Sequence, residues 1–225
     1  MNRSSMDRIL VTGGTSFTGL HLVRSLVREG HAVRVLTPSL ERARALLPAE
    51  TEIMAGDITE RLDVERAVEG RDVIYHLADS AGMKRVANPR DHWRINVQGT
   101  RLVMQAALQE QVRRIVHCGT ARVHGDTGPG AANEESAFRP TNAYELTKMQ
   151  AERLALLFVR ESLLPVVVAR PTWTYGADDR RFRRMMASVR RGHVVIPGTR
   201  TARVHPIHVQ DLLRRLKLLA TRDAA

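Results

Sequence analysis

The sequence predicts an α/β chain organised as a doubly wound parallel sheet, and three observations carry that expectation. Short apolar runs alternate with segments of helical period from Arg8 to Arg170, the pattern of repeated strand–helix units. The first run ends in a glycine-bearing turn that feeds directly into a helix. No internal repeat, low-complexity stretch or long linker interrupts the alternation.

The elements follow in order. Arg8–Thr12 is a short apolar strand, and the turn Gly13–Gly19 follows it. Leu20, Val23, Leu26 and Val27 then recur at helical spacing until Gly30 stops the helix. Ala32–Leu36 is the second strand. A strand–turn–helix–strand unit of this kind presents backbone N–H groups and a helix N-terminus to a pyrophosphate, the arrangement of a Rossmann-type fold. Further strands are expected at Glu52–Ala55, Asp72–Leu77, Arg114–Cys118 and Pro165–Arg170, with helices at 60–69, 91–110 and 142–162. The longest irregular stretch, Gly125–Pro140, lies between two candidate catalytic segments and is expected to help cover a substrate. Ligands are expected beyond the carboxyl ends of the strands.

At 225 residues the chain can bury a substantial core. Its one cysteine, Cys118, excludes an internal disulfide and fits a reducing compartment. The apolar run Leu163–Ala169 is too short to span a bilayer, and the N-terminus shows no apolar signal segment. A cytoplasmic protein without a membrane partner is the expectation. The formal charge of +11 comes from 35 basic and 24 acidic side chains, with a dense run of arginines from Arg180 to Arg191. A solvated helix face is the simplest reading of that run, contact with an anionic small molecule the second, and nucleic acid the third. The histidines lack metal-ligand spacing such as H-E-x-x-H, so no metal site is expected, and Cys118 reads as a small buried hydrophobe.

Tyr144 and Lys148 frame the segment Y-E-L-T-K. On a helix, residues four apart share one face. A phenol ionises near pH 10, too high for useful proton transfer at neutrality. A cation a few ångströms away favours the phenolate, so Lys148 is expected to lower the pKa of Tyr144.

The motifs, taken together, resemble the extended short-chain dehydrogenase/reductase family, of the NAD-dependent epimerase/dehydratase type. Thr12–Gly19 reads T-G-G-T-S-F-T-G beside the family's T-G-x-x-G-x-x-G, with Ser16 in the place of the middle glycine. In order along the chain, Gly56–Ile58 resembles the G-D segment, and His76–Asp79 resembles H-L-A-A with Asp79 replacing the second alanine. Asn96–Thr100 resembles N-V-x-G-T, and Thr120–Gly125 resembles S/T-x-x-V-Y-G. Arg170–Gly176 resembles R-P-x-x-V-Y-G, and His205–Leu212 resembles H-P-V-x-V-x-D-L.

What this resemblance implies can be stated residue by residue. Gly13, Ser16, Phe17, Thr18 and Gly19 would line the cofactor phosphates. Asp57 and Ile58 would lie by the adenine, Leu77 and Ala78 by a ribose. Asn96 would support the geometry of the active-site helix beside the cofactor, and Arg170 would complete the cofactor site. Tyr144 would exchange a proton with a substrate oxygen, Thr120 would hydrogen-bond that oxygen, and Lys148 would bind the ribose hydroxyls as well as assist Tyr144. The nicotinamide would carry the hydride.

The departures refine these expectations. Ser16 is expected to weaken cofactor binding or to displace the phosphates. Thr37–Ser39 carries no carboxylate for a ribose 2′-hydroxyl, while Arg34, Arg42 and Arg44 lie near enough in sequence to meet a 2′-phosphate. The cofactor is therefore NAD or NADP, with NADP favoured. Ala121 and Arg122 stand where dehydratases of the family have Asp-Glu, which argues against sugar dehydration. The expected division is 1–169 for dinucleotide binding and 170–225 for a small C-terminal substrate-binding portion, either reduced in this chain or continued beyond it. Arg183, Arg184 and Arg203 are the candidates for a sugar nucleotide's phosphates. An epimerase or reductase acting on a nucleotide sugar or a hydroxy-ketone is the leading reading. A non-catalytic NAD(P)-binding regulatory or scaffold protein is the second, and a homodimer stays open.

Overall fold

A computed structural model describes residues 6–82, 88–128, 130–192 and 205–221. Six strands form one parallel sheet: β1 (Arg8–Thr12), β2 (Ala32–Thr37), β3 (Glu52–Ala55), β4 (Val73–His76), β5 (Arg114–Cys118) and β6 (Val166–Ala169). Their spatial order is β3-β2-β1-β4-β5-β6. The order reverses between β1 and β4, with Ile9 beside both Val33 and Val73. That reversal opens a crevice at the carboxyl ends of β1 and β4, where ligands of such sheets bind.

Side chains alternate across the sheet. Ile9, Val11, Val33, Val35, Val73, Tyr75 and Val116 face one core, and Leu10, Leu36, Ile74 and Ile115 the other. The first core is closed by α1 (Phe17–Arg28) and α2 (Leu40–Leu46). The second is closed by α3 (Arg61–Val68), α5 (Gly99–Gln109) and α6 (Ala143–Ser162). In α1, Leu22, Val23 and Leu26 are buried at helical spacing, and Ser16 caps the N-terminus by accepting from the Gly19 N–H at 3.1 Å.

The helix expected over 91–110 is three pieces. The first is α4 (Pro89–Trp93), followed by a π-helical turn at Arg94–Gln98 and then α5. The extra residue of a π turn rotates the chain. Here Asn96 is buried at the turn, and Thr100 back-bonds to the Asn96 carbonyl at 2.6 Å.

Beyond β6 come β7 (Thr174–Tyr175), α7 (Arg180–Arg190), β8 (Ile207–His208) and α8 (Val209–Thr221). β7 and β8 pair in parallel. Val209, Leu212, Leu213 and Leu216 of α8 lie in the same core as α1 and β1. α8 is therefore packed into the first core, while α7 buries no residue. No helix of the described residues is long and apolar enough to cross a membrane.

Candidate active site

The glycine turn is shaped by contact. Gly13 has φ +72°, and a Cβ there would meet the Leu77 carbonyl carbon and the Ala78 nitrogen at 2.7 Å. The turn after β1 and the segment after β4 are thus pressed backbone to backbone, tied further by the Ala78 N–H donating to Thr12 Oγ1 at 3.2 Å. A Cβ on Gly19 would strike the Gly13 carbonyl and come within 2.8 Å of Gly14 Cα. Ser16 sits in extended backbone, φ −74°, so its position does not require glycine. Its hydroxyl serves as the helix cap. The first turn of α1 holds no acidic side chain, which leaves the positive end of the helix suited to a phosphate. Phe17 packs beneath Gly176 and against the first core, and Thr18 is half-buried.

The other expected cofactor residues have these placements. Asp57 Oδ1 accepts from both the N–H and the hydroxyl of Thr59, at 2.8 and 2.9 Å, in a tight turn. Ile58 packs against Gly99, and Leu77 is buried in the first core. Asn96 is fully engaged: Oδ1 accepts from the Ser80 N–H at 3.0 Å, and Nδ2 donates to Thr147 Oγ1 at 3.0 Å. It ties the segment after β4 to α6. Arg170 points its guanidinium at the buried Glu152, with Nε to Oε1 at 2.9 Å, and at the Glu134 carbonyl at 3.2 Å, while stacking 5.2 Å from the Phe138 ring. Its charge thus anchors the 125–140 loop.

One arginine expectation is corrected. Arg34 is turned away from the turn after β2, bonded to Glu52 at 2.8 Å and to carbonyls at the end of α3. Arg42 is the one that reaches the glycine turn, donating to the Thr15 carbonyl at 3.3 Å.

Tyr144 and Lys148 lie near the start of α6, whose N-terminus Asn142 caps by accepting from the Glu145 N–H at 3.0 Å. Tyr144 is half-buried, and its hydroxyl donates to Asp79 Oδ2 at 3.0 Å. Lys148 is buried and donates to the Cys118 carbonyl at 2.6 Å, at the end of β5. Thr120 is buried and caps the short 3₁₀ turn Ala121–His124 by accepting from the Arg122 N–H at 3.3 Å. Arg122 bonds Glu145 at 2.9 Å and lies over the Tyr144 ring, 5.9 Å from its centroid.

The expected fall in the Tyr144 pKa is reversed. Burial pushes the phenol well above its ordinary value, and the charge and hydrogen bond of Asp79 push it further. The Lys148 ammonium is directed at a backbone carbonyl instead. Asp79 and Arg122 are the residues that sequence reasoning underrated: Asp79 was visible only as a departure from H-L-A-A, and Arg122 only as an absent carboxylate.

Beneath the site lies a layer of buried histidines. His76 bonds Thr12 at 2.7 Å and Thr100 at 2.9 Å, and burial with the nearby Lys148 charge lowers it to about 3. His117, 5.3 Å away ring to ring, is lowered well below its usual range by burial, then by His76 and Lys148. Burial pushes the Cys118 thiol up to about 11, so it is a weak nucleophile. Arg183 and Arg184 are exposed on α7, where Arg183 borders a shallow groove with Phe182 and Met186. Arg203 lies outside the described residues.

This geometry, a glycine turn at the sheet's reversal with a tyrosine and a lysine above it, has its counterpart in known proteins. Residues 9–225 match the NAD dependent epimerase/dehydratase family. The chain belongs to that family. A 3 beta-hydroxysteroid dehydrogenase/Delta 5→4-isomerase of Mycobacterium tuberculosis is 33% identical over 96% of this chain. A dTDP-glucose 4,6-dehydratase of Streptomyces niveus is 31% identical over 94% of it. Among solved structures, MoeE5 in complex with UDP-glucose and NAD superposes with a TM-score of 0.80 at 30% identity, covering 95% of this chain and 71% of that one. The chain spans 61% of the length of the mycobacterial relative and 68% of the dehydratase. Family members so named act as dehydrogenases, dehydratases and epimerases.

Proposed function

We propose that this chain acts as an NAD(P)-dependent oxidoreductase or epimerase on a hydroxyl or carbonyl carbon of a hydroxy-ketone or nucleotide-sugar substrate. One observation carries the reading. The Tyr144 hydroxyl bonds Asp79, the residue next to the Leu77–Ala78 segment that packs on Gly13. The proton-exchanging group and the glycine turn therefore meet at one crevice.

The residues present fit a dinucleotide. The backbone N–H groups of Phe17 and Thr18, at the positive end of α1, suit its phosphates. Lys148 suits the ribose hydroxyls, and Arg42 beside the turn suits a 2′-phosphate. The bound nicotinamide supplies the hydride chemistry that no side chain can. Tyr144 gives a proton to the substrate oxygen when a carbonyl is reduced, or takes one when an alcohol is oxidised. Thr120, which uses one lone pair as a cap, keeps its own hydrogen for that oxygen.

Substrate class rests on two supports. The sequence carries Ala121 and Arg122, and the Arg122 guanidinium covers the Tyr144 ring, so no acid–base pair for dehydration stands there. Relatives named as hydroxysteroid dehydrogenases and a neighbour bound to UDP-glucose support hydroxy-ketones and sugar nucleotides respectively. The missing carboxylate at Thr37–Ser39 supports NADP over NAD.

The test is calorimetric titration of the chain with NADP and NAD, followed by a hydride-transfer screen with hydroxy-ketones and sugar nucleotides. Cofactor binding with turnover on one class is the expected result. Tight cofactor binding without turnover on either class would favour the non-catalytic binding protein.

A further inference from the structure

Two amphipathic helices follow β6, and they meet different surroundings. In α8, Val209, Leu212, Leu213 and Leu216 are buried in the first core. In α7, Phe182, Met185, Met186 and Val189 recur at the same helical spacing, yet no residue is buried, and Met185, Met186 and Val189 are exposed. These four side chains cover about 100° of the helix surface, the width of a stripe that ordinarily faces a core. Aromatic rings continue the patch. Phe182 meets Tyr175 at 5.2 Å between ring centroids, and Tyr175 meets the exposed Trp173 at 6.3 Å.

Positive charge borders the stripe. Arg181 lies one turn before Met185, and Arg183 and Arg190 lie one turn before and one turn after Met186, so guanidinium groups stand on both flanks. Arg180 and Arg184 are exposed on the opposite side of the helix. The run Arg180–Arg191 contains no acidic residue.

We propose that α7 lies on anionic lipid bilayers, with Phe182, Met185, Met186 and Val189 seated at the acyl boundary and Arg181, Arg183 and Arg190 on headgroup phosphates. A helix lying in the plane of the interface needs these two features together, an apolar stripe and basic flanks. Guanidinium forks hold phosphate oxygens in pairs, and the arginine stems lie along apolar surface while their heads reach the headgroups. Tryptophan and tyrosine, the aromatics of that depth, stand beside the stripe. That no helix of the described residues crosses a membrane concerns spans, and a helix lying on the surface is a different geometry.

Charge and apolarity together decide against two other occupants. A second copy of the chain would set one arginine flank against another. A nucleic acid would answer the arginines and leave the stripe in water.

The test is co-sedimentation of the intact chain with phosphatidylcholine vesicles prepared with and without phosphatidylglycerol. Binding to the anionic vesicles, weaker binding to the neutral ones and weakening by salt are the expected results. Because α7 buries no residue, its variants should keep the urea midpoint of the parent. Arg181→Gln with Arg190→Gln should lower the partition about tenfold or more. Met186→Ser with Val189→Ser leaves the charge unchanged and should also lower it about tenfold or more. In a Trp93→Phe background, Trp173 emission should shift to the blue on anionic vesicles, and an unmoved emission counts against the proposal. Absence of partition onto anionic vesicles overturns it. So does partition that is the same in Met186→Ser with Val189→Ser, which is the mark of charge attraction alone. Retention of DNA by the parent and by that serine pair, without vesicle binding, would assign the arginines to nucleic acid instead. Dimerisation of the lipid-free chain that the serine pair abolishes would assign the stripe to a second copy, and overturns the proposal as well. No arm of the test needs turnover, so its outcome stands apart from the assignment of function.

Discussion

On the β1 side of the crevice the site is made of backbone. Gly13, Gly19 and the Leu77–Ala78 segment touch main chain to main chain, and Ser16 contributes only a helix cap. On the α6 side the site is made of charge. Tyr144 is set by Asp79, Arg122 by Glu145, Lys148 by a carbonyl, and Arg170 by Glu152. Steric sites tolerate few residues and behave alike at any pH. Charged sites accept several side chains of similar shape, and their chemistry changes with each one. The two sides should therefore fail differently when perturbed.

The largest effect is expected on the backbone side. Gly13→Val places a branched side chain at positive φ against the Leu77 carbonyl. The strain and the overpacking together should destabilise the fold by about 2–6 kcal/mol, read as a lower urea midpoint. A variant as stable as the parent would show that the close approach after β4 is not required.

Next comes Tyr144→Phe, which should lower turnover about 10²–10⁴-fold while calorimetry shows cofactor affinity unchanged. Residual activity equal to the parent would remove Tyr144 from the mechanism. Cofactor choice is the third perturbation. Arg42→Met combined with Arg44→Met should weaken NADP about tenfold or more and NAD much less. Tenfold tighter binding of NAD by the unmodified chain would overturn the NADP preference.

The buried histidines bring pH dependence without touching the site's edge. His76 is lowered to about 3 in the fold, against about 6.5 in the unfolded chain. The unfolded state therefore binds the extra proton first. Stability should be full above about pH 6.5 and fall by about 1.4 kcal/mol per pH unit below it, the loss ending only when His76 protonates within the fold. His117, lowered by burial as well, adds to the slope. Urea midpoints at pH 7 and pH 5 measure it, and equal midpoints would contradict the neutral, buried pair.

The smallest effect belongs to the exposed α7. Arg184→Gln should change stability by less than about 0.5 kcal/mol. A raised KM for a sugar nucleotide would sharpen the substrate assignment, and unchanged kinetics would leave Arg184 as solvated surface.

The order of strands up to β6 was legible in the sequence, because the apolar period of each segment is local and the glycine turn marks where strand meets helix. The short α2, which buries only Ala43, was not expected. β1, β3 and β5 match the expected bounds, and the Tyr144–Lys148 pair falls on one helix as its spacing requires. The π turn at Asn96, the docking of α8 into the first core and the bond of Arg170 to Glu152 were not legible. Each depends on partners far away in the chain. The same reason governs the phenol. Spacing on a helix brings Lys148 within reach of Tyr144, but β5's carbonyl accepts from Lys148 and a carboxylate after β4 accepts from Tyr144, and these partners decide where each side chain is directed. The sequence by itself determined the parallel sheet, the glycine turn and the placing of Tyr144 and Lys148 on one helix, since all three follow from local pattern. Only the tertiary structure decided the surroundings that push the Tyr144 phenol upward, because electrostatics depends on distance in space and on burial, and neither is written in the spacing of residues along the chain.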